Sequence, residues 1–346
     1  MEALSRMKLG SNPGQLRAML VMALLLVLSG TAHSAPVDDR AVAEFSAEMQ
    51  KRHGFDSSRL AETFKSASRL DSVLAAMVKP AEKKPWHAYR PIFMTTERIA
   101  AGSAFWDRHE GALARAEAEY GVPAAIIVAI IGVETFYGRN AGSYRVLDAL
   151  ATLAFHFPPR APFFRSELEN FLLLARDEQM DPGQPKGSYA GAMGLPQFMP
   201  SSFRNFAVDF DKDGKRNIWT GPEDAIGSVG NYLARHGWRR DQPIAVQAAT
   251  REANAAQASQ GMELVKTLAE YREAGVLPLD EQDPALQAVL LGFEDVKGME
   301  YWFGFRNFYA ITRYNRSPKY ALAVAQLADA VAQKRRLQAD RQARAP

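Results

Sequence analysis

The sequence predicts a mainly helical α+β protein. A helical N-terminal region leads into a helical core, and a small β-containing insertion interrupts that core. Three observations carry this reading. Apolar residues recur at three- and four-residue spacing over most of the chain. One run, residues 122–133, is apolar on every face, as a central buried helix should be. After Trp238 the character changes to strand-like runs, "QPIAVQAAT" and "ALQAVLLGFED". With 346 residues and 47% hydrophobic content, the chain can bury a sizeable core.

The first 34 residues read as a leader and not as fold. Arg6, Lys8 and Arg17 precede an apolar run at residues 18–28, and "SGTAHSAP" follows. This is the order of a secretory signal peptide, cut near Ser34 with Ala32 at the third position back. The run is shorter than the roughly 20 residues a span needs; an uncleaved anchor is the alternative. The chain has no cysteine. Disulfides, thiolate chemistry and a lipidated N-terminal cysteine are therefore excluded, and the expectation is a soluble exported protein, periplasmic in a host with two membranes.

Residues 35–100 read as helices. "DDRAVAEFSAEMQKRHGF" and "DSSRLAETFKSA" start on Asp or Ser. "PAEKKPWHAYRPIF" is a connector, and "TTERIAAGSAFWDRHEGALARAEAEYG" reads as one long amphipathic helix stopped near Gly121. The core is expected at 101–238 and 300–335. It opens with "GVPAAIIVAIIGVE", where Pro123 suits a first helical position. Two more helices follow, "LDALATLAF" and "FFRSELENFLLLARDEQM". A Gly-rich loop, an Asp-rich loop and the helix "DAIGSVGNYLARHGW" come next. The insertion is expected at 239–299, with a short helix at "QGMELVKTLAEYREAG" between its strands. "YWFGFRNFYAITRYN" reads as strand turning into loop. The last helix leads to a basic tail at 336–346.

Several residues could carry chemistry. Glu134 closes the apolar helix and stands beside Phe136 and Tyr137. A carboxyl there is poorly solvated, which raises its pKa and keeps a proton ready for donation. The alternative is a helix-end glutamate satisfied by a backbone donor or by Arg139. "DFDKDGKRNIW" places Asp209, Asp211 and Asp213 two apart, followed by Gly214, as an EF-hand calcium loop begins. Position twelve is Thr220, so a closing carboxylate must come from Glu223 or Asp224; a solvated Asp/Gly turn is the alternative. "GSYAGAMGLPQFMPSS" lacks the ending of a phosphate loop, and its Gly, Ser and Gln suit close approach to a polar ligand. "ITRYNRSPKY" offers Tyr314, Asn315 and Tyr320, rings and an amide suited to a sugar, although core packing is the commoner fate of tyrosine. The six histidines are dispersed with no HExxH pair, against a zinc hydrolase. Net charge is +3 and the sequence pI about 9.0, compatible with an anionic polymer and decisive for none.

Taken in order, "GVETFYG", "LDALATLAF", "FLLLARDEQ", "GSYAGAMGLPQFMPSS", "VDFDKDG", "DAIGSVGNYLARHGW" and "YNRSPKYALAV" resemble the lytic murein transglycosylase B family over about residues 40–335. The resemblance implies a lysozyme-like helical core, a small β insertion and a calcium loop. It also implies cleavage of the MurNAc–GlcNAc β-1,4 bond of peptidoglycan with formation of a 1,6-anhydro-MurNAc end. By resemblance Glu134 is the single catalytic acid. The sugar-contacting residues fall on Ser188, Gln197, Tyr232, Tyr314, Asn315 and Tyr320, and Arg160 keeps one half of a family Arg-Arg pair. Calcium ligands fall on Asp209, Asp211, Asp213, the Lys215 carbonyl and Asp224, the last offset by one residue in "TGPED". No catalytic cofactor is implied, and Ca²⁺ is structural. The implied partner is the glycan strand and not nucleic acid; proteins of wall synthesis or division stay open. Most glycosidases use two carboxyl groups. If Glu134 acts alone, the C6 hydroxyl of MurNAc supplies the nucleophile. Asp148, Asp177 and Glu178 are the rival second carboxylates.

Overall fold

The computed structural model describes residues 34–78, 84–250, 258–259 and 261–343. The leader expected at 1–34 lies outside these residues except for Ser34. Among the described residues, no single helix is long and apolar enough to cross a membrane.

The N-terminal region is helical apart from one short strand pair. Strand β1 (Ser34–Pro36) pairs antiparallel with β2 (Ser68–Leu70). Between them lie α1 (Asp39–His53) and α2 (Ser57–Lys65). Asp38 and Asp56 cap these helices, each carboxylate accepting two backbone amides of the first turn. Helix α3 (Asp71–Met77) and the single turn α4 (Trp86–Tyr89) complete the region.

The segment read as one long helix is two. Helix α5 (Thr96–Arg108) stops at His109, which leaves helical geometry at φ −120°, ψ 25°, and α6 (Glu110–Tyr120) starts afresh. The His109 ring packs on Phe105 at 4.6 Å. The break lets α6 bury Ala112, Leu113 and Ala116 while α5 buries Phe105. Gly121 ends α6 in the left-handed region, as expected. Pro123 is the N-cap of α7 (Ala124–Thr135), not its first helical residue.

Helix α7 is the centre of the molecule, with Ile126 through Gly132 all buried. Around it pack α5, α6, α11 (Pro222–Arg235) and the long α14 (Pro318–Ala343). A second layer is the packed pair α8 (Val146–His156) and α9 (Ala161–Asp177), with α10 (Pro200–Phe206) against α9. Helix α14 continues through the described part of the expected basic tail.

The insertion is a five-stranded antiparallel sheet. Its strands are β5 (Ala245–Ala249), β6 (Lys266–Thr267), β7 (Leu277–Pro278), β8 (Gln287–Asp295) and β9 (Gly298–Gly304), in the order β6-β8-β9-β5-β7. Helix α12 (Leu268–Glu273) is shorter than expected and starts at Thr267 with a capping box to Glu270. Strand β8 alternates faces. Val289, Leu291 and Phe293 join the main core, while Leu290 joins Val246, Phe303, Leu268 and Tyr271 in a small second core. Strand β9 runs to Gly304 and is followed by helix α13 (Arg306–Thr312). Strand β9 thus extends five residues beyond residue 299, and the segment read as strand and loop is strand and helix. Aromatic residues are at home in both settings, so local pattern did not separate them.

Candidate active site

Glu134 stands in the last turn of α7, where the apolar helix reaches its end. Two features set its protonation. The residue is partly buried, and desolvation by the surrounding protein pushes its carboxyl up to about 7. The Tyr320 hydroxyl donates to Glu134 Oε1 at 2.5 Å and opposes part of that rise. A carboxylate at the negative end of a helix dipole is disfavoured as well. The site thus keeps the acid partly protonated near neutral pH, with its conjugate base still supported by one donor.

The end of α7 is anchored on both sides. Thr135 is fully buried, and its hydroxyl reaches the Leu195 carbonyl at 3.0 Å while accepting from Gly138 N at 3.0 Å. This residue was missed in the sequence; its position directly after Glu134 was the available signal. The anchor joins the helix to the Gly-rich loop. That loop is built of strand β4 (Lys186–Gly187), paired with β3 (Tyr144–Arg145), and two bridges, Gly187↔Met193 and Met193↔Phe198. Gly194 takes φ 67°, and a Cβ there would lie 2.4 Å from the Ile218 carbonyl oxygen. Leu195 N donates to that same carbonyl at 2.9 Å. Only glycine permits this approach, which ties the Gly-rich loop to the Asp-rich loop.

The fold brings most of the expected sugar-contacting residues together. Gln197 has left-handed geometry, φ 51°, and its Nε2 donates to the Ala141 and Gly194 carbonyls. Tyr314 donates to the Pro196 carbonyl at 2.7 Å and packs on Tyr232 at 4.7 Å. Asn315 follows, partly buried, its carbonyl accepting from Ser317 N. Desolvation by burial, and next the nearby Glu134, hold the Tyr314 and Tyr320 hydroxyls far above the usual range, so both remain protonated donors. Tyr232, expected by resemblance among the sugar-contacting residues, is buried. It is 7% exposed, its hydroxyl donates to the Arg313 carbonyl at 2.6 Å, and its ring stacks on His236 at 4.0 Å. It supports Tyr314 from behind. Ser188 Oγ accepts from Ala190 N and Ala192 N, so it also shapes its own loop. Arg160 lies over Phe163 and Phe164 at the head of α9, outside the hydrogen bonds around Glu134.

The three rival carboxylates are occupied elsewhere. Asp148 is 6% exposed, accepts from Ser68 N at 3.1 Å and lies 3.5 Å from Arg145. Asp177 is beside Arg176 and Arg204. Glu178 is bonded through one oxygen to Arg216.

In the Asp-rich loop, carboxylate oxygens of Asp209, Asp211 and Asp213 lie within 4.8 Å of one another. Backbone amides shape the loop: Asp213 N and Gly214 N donate to Asp209, and Lys215 N donates to Asp213. This set of hard oxygen donors fits calcium. The two candidates for the closing ligand go separate ways. Glu223 is bonded to Arg115 at 3.0 Å. Asp224 is 1% exposed and lies outside the three-carboxylate cluster. It accepts from Phe210 N at 2.6 Å, Asn217 N at 2.7 Å and Asp211 N at 3.3 Å, clamping the base of the loop. Its one-residue offset from the family pattern thus falls on a buried carboxylate already held by three amides.

The chain is similar to known proteins over most of its length. The transglycosylase SLT domain family matches residues 38–329. The membrane-bound lytic murein transglycosylase B of Escherichia coli (strain K12) is 48% identical over 299 residues, 84% of this chain and 82% of that protein. The crystal structure of the soluble lytic transglycosylase SltB1 from Pseudomonas aeruginosa superposes with a TM-score of 0.81 at 53% identity, covering 85% of this chain and 99% of that one. The Escherichia coli lytic transglycosylase Slt35 in complex with calcium gives 0.79 at 47% identity, over 85% and 93% of the two chains. Glu134, with its tyrosines and helical frame, thus stands in a chain that belongs to the SLT-domain lytic murein transglycosylase B family and acts as a peptidoglycan lytic transglycosylase.

Proposed function

We propose that Glu134 is the only catalytic carboxyl and serves first as acid, then as base. The neutral carboxyl protonates the glycosidic oxygen between MurNAc and GlcNAc, and the bond from that oxygen to C1 of MurNAc breaks. The C6 hydroxyl of the same MurNAc attacks C1, and its proton passes to the Glu134 carboxylate. The enzyme regains its starting state, and the product is a 1,6-anhydro end with no water added. One observation carries this reading: Glu134 is held up to about 7 with Tyr320 on its Oε1, while Asp148, Asp177 and Glu178 are each engaged elsewhere.

Without a second carboxylate, the rate must come from orienting C6 against C1. Ser188, Gln197, Tyr314 and Asn315 are assigned to holding the MurNAc ring, with Tyr320 setting the acid and Tyr232 buttressing Tyr314. Arg160 is assigned to more distant parts of the substrate. Asp209, Asp211, Asp213 and the Lys215 carbonyl would hold calcium, with Asp224 fixing the loop base. The ion would supply charge compensation that holds the loop's three carboxylates together. The leader at 1–34 supports export to the periplasm, where the glycan strands are.

Digestion of murein sacculi in ¹⁸O water tests the mechanism. Products one water lighter than hydrolysis products, and free of label, are expected. Label at the new reducing end would mean that water attacks, and the enzyme would then be a hydrolytic muramidase of the same fold.

A further inference from the structure

Immediately after Glu134 the chain accumulates unfavourable features. Phe136 and Tyr137 both take left-handed backbone geometry, at φ 52° and φ 58°. Neither is glycine, and two such residues in succession are strained. The Tyr137 hydroxyl is buried without a hydrogen-bond partner, as is Arg98 Nε nearby. Two helix interiors carry glycine where alanine would be the better helix former. A Cβ on Gly102, in α5, would lie 2.4 Å from the Tyr137 hydroxyl oxygen, and one on Gly132, in α7, would lie 2.5 Å from it. Neither glycine is left-handed, so space for this ring accounts for Gly132 and, together with Val331 Cγ2 at 2.7 Å, for Gly102. The ring also packs on Phe105 at 5.5 Å, and Tyr137 N donates to the Ile131 carbonyl.

We propose that Tyr137 is a positioning residue: seated in the Gly102–Gly132 notch, it locks the last turn of α7 and so fixes the direction and the partly buried setting of the Glu134 carboxyl. The proposal rests on Glu134 being the catalytic acid. Locking works because the ring bridges α5 and α7 at the turn that carries the acid. Strain at Phe136 and Tyr137 turns the chain back sharply enough to seat the ring. Removing the ring frees that turn and admits water to the carboxyl. The charged and titratable groups facing this region are Tyr320, Tyr314 and Tyr232 around Glu134, Arg98 beside Tyr137, and the Arg139–Glu97 pair, whose arginine lies over Phe136. None of the three tyrosines is altered by the test.

The test is kcat, KM and the pH–kcat profile on murein for Tyr137→Phe, Tyr137→Ala and Gly102→Ala, beside Glu134→Gln. Tyr137→Phe keeps the ring and drops the unpartnered hydroxyl. It should stay within about twofold of wild-type kcat, with an equal or higher Tm. Tyr137→Ala should lose about 30- to 100-fold in kcat with KM little changed, as misplacement by about 1 Å does. Its alkaline limb should also move to lower pH, because a hydrated carboxyl ionises earlier. Gly102→Ala, on a different helix, should shift the limb the same way, and it carries the test if Tyr137→Ala does not fold. A folded Tyr137→Ala or Gly102→Ala with wild-type kcat and an unmoved limb would overturn the proposal. An active Glu134→Gln would instead overturn the assignment of the acid, so the two failures are distinct.

Discussion

Tyr320 Oη donates to Glu134 Oε1 at 2.5 Å, across 186 residues of sequence, and joins the first turn of α14 to the last turn of α7. Because the bond stabilises the charged form, it keeps the acid from becoming too weak. Tyr320→Phe should raise the pKa of Glu134 further and move the alkaline limb of the pH–kcat profile upward. Loss of this charge-assisted bond, about 1.5 kcal/mol in the transition state, should lower kcat about tenfold. A limb that stays in place would remove Tyr320 from the control of the acid.

The raised pKa of Glu134 has a cost in stability. Between the ordinary 4.5 and about 7, the folded protein keeps a proton that the unfolded chain has released. Stability from this group is therefore present below about pH 4.5 and lost as pH rises through 7, by at most roughly 3 kcal/mol. Glu134→Gln removes the titration. Activity should fall by more than about a thousandfold. The variant's Tm should match wild type near pH 4 and exceed it at pH 8. Equal Tm values at pH 8, by calorimetry, would contradict the buried-acid account.

Calcium should raise Tm. For a site with a dissociation constant near 10⁻⁴ M, 1 mM calcium contributes roughly 1.4 kcal/mol. Asp211→Ala should abolish the difference between chelator and calcium, with little change in chelator. An unchanged difference in that variant would remove Asp211 from the ion.

Asp224 should behave differently from the three clustered aspartates. Its carboxylate satisfies three backbone amides in a buried setting. Asp224→Ala should cost roughly 2–4 kcal/mol even in chelator. If its destabilisation vanishes when calcium is removed, Asp224 acts through the ion alone.

Asp148→Asn should leave the anhydro product unchanged, since Asp148 faces Ser68 N and Arg145, not a sugar. It should cost roughly 1–3 kcal/mol of stability, as loss of a buried ionic acceptor does. Reducing-end product from this variant, by mass, would bring Asp148 into the mechanism.

Much of the frame could be read without coordinates, and for local reasons. Asp38 and Asp56 announce helix starts because their short carboxylates reach the next turn's amides. Gly121 announces a stop because it accepts a left-handed φ of 69°. The run ending at Glu134 declares a buried helix by its composition, and the spacing of Asp209, Asp211 and Asp213 declares a shared centre. All of these signals act within a few residues of the position that carries them.

What tertiary structure alone decided is where side chains point once distant segments pack. Tyr232, Tyr314 and Tyr320 are alike in sequence, yet Tyr232 is bonded to the Arg313 carbonyl, Tyr314 to the Pro196 carbonyl and Tyr320 to the acid. Asp148, Asp177 and Glu178 could each have been a second carboxylate until packing gave them arginines and an amide. The break at His109 also escaped local reading, because it is made by the need of α5 and α6 to bury different faces. Propensity and spacing are short-range, whereas the protonation of Glu134 depends on desolvation by packed protein and on a hydrogen bond from Tyr320, 186 positions away.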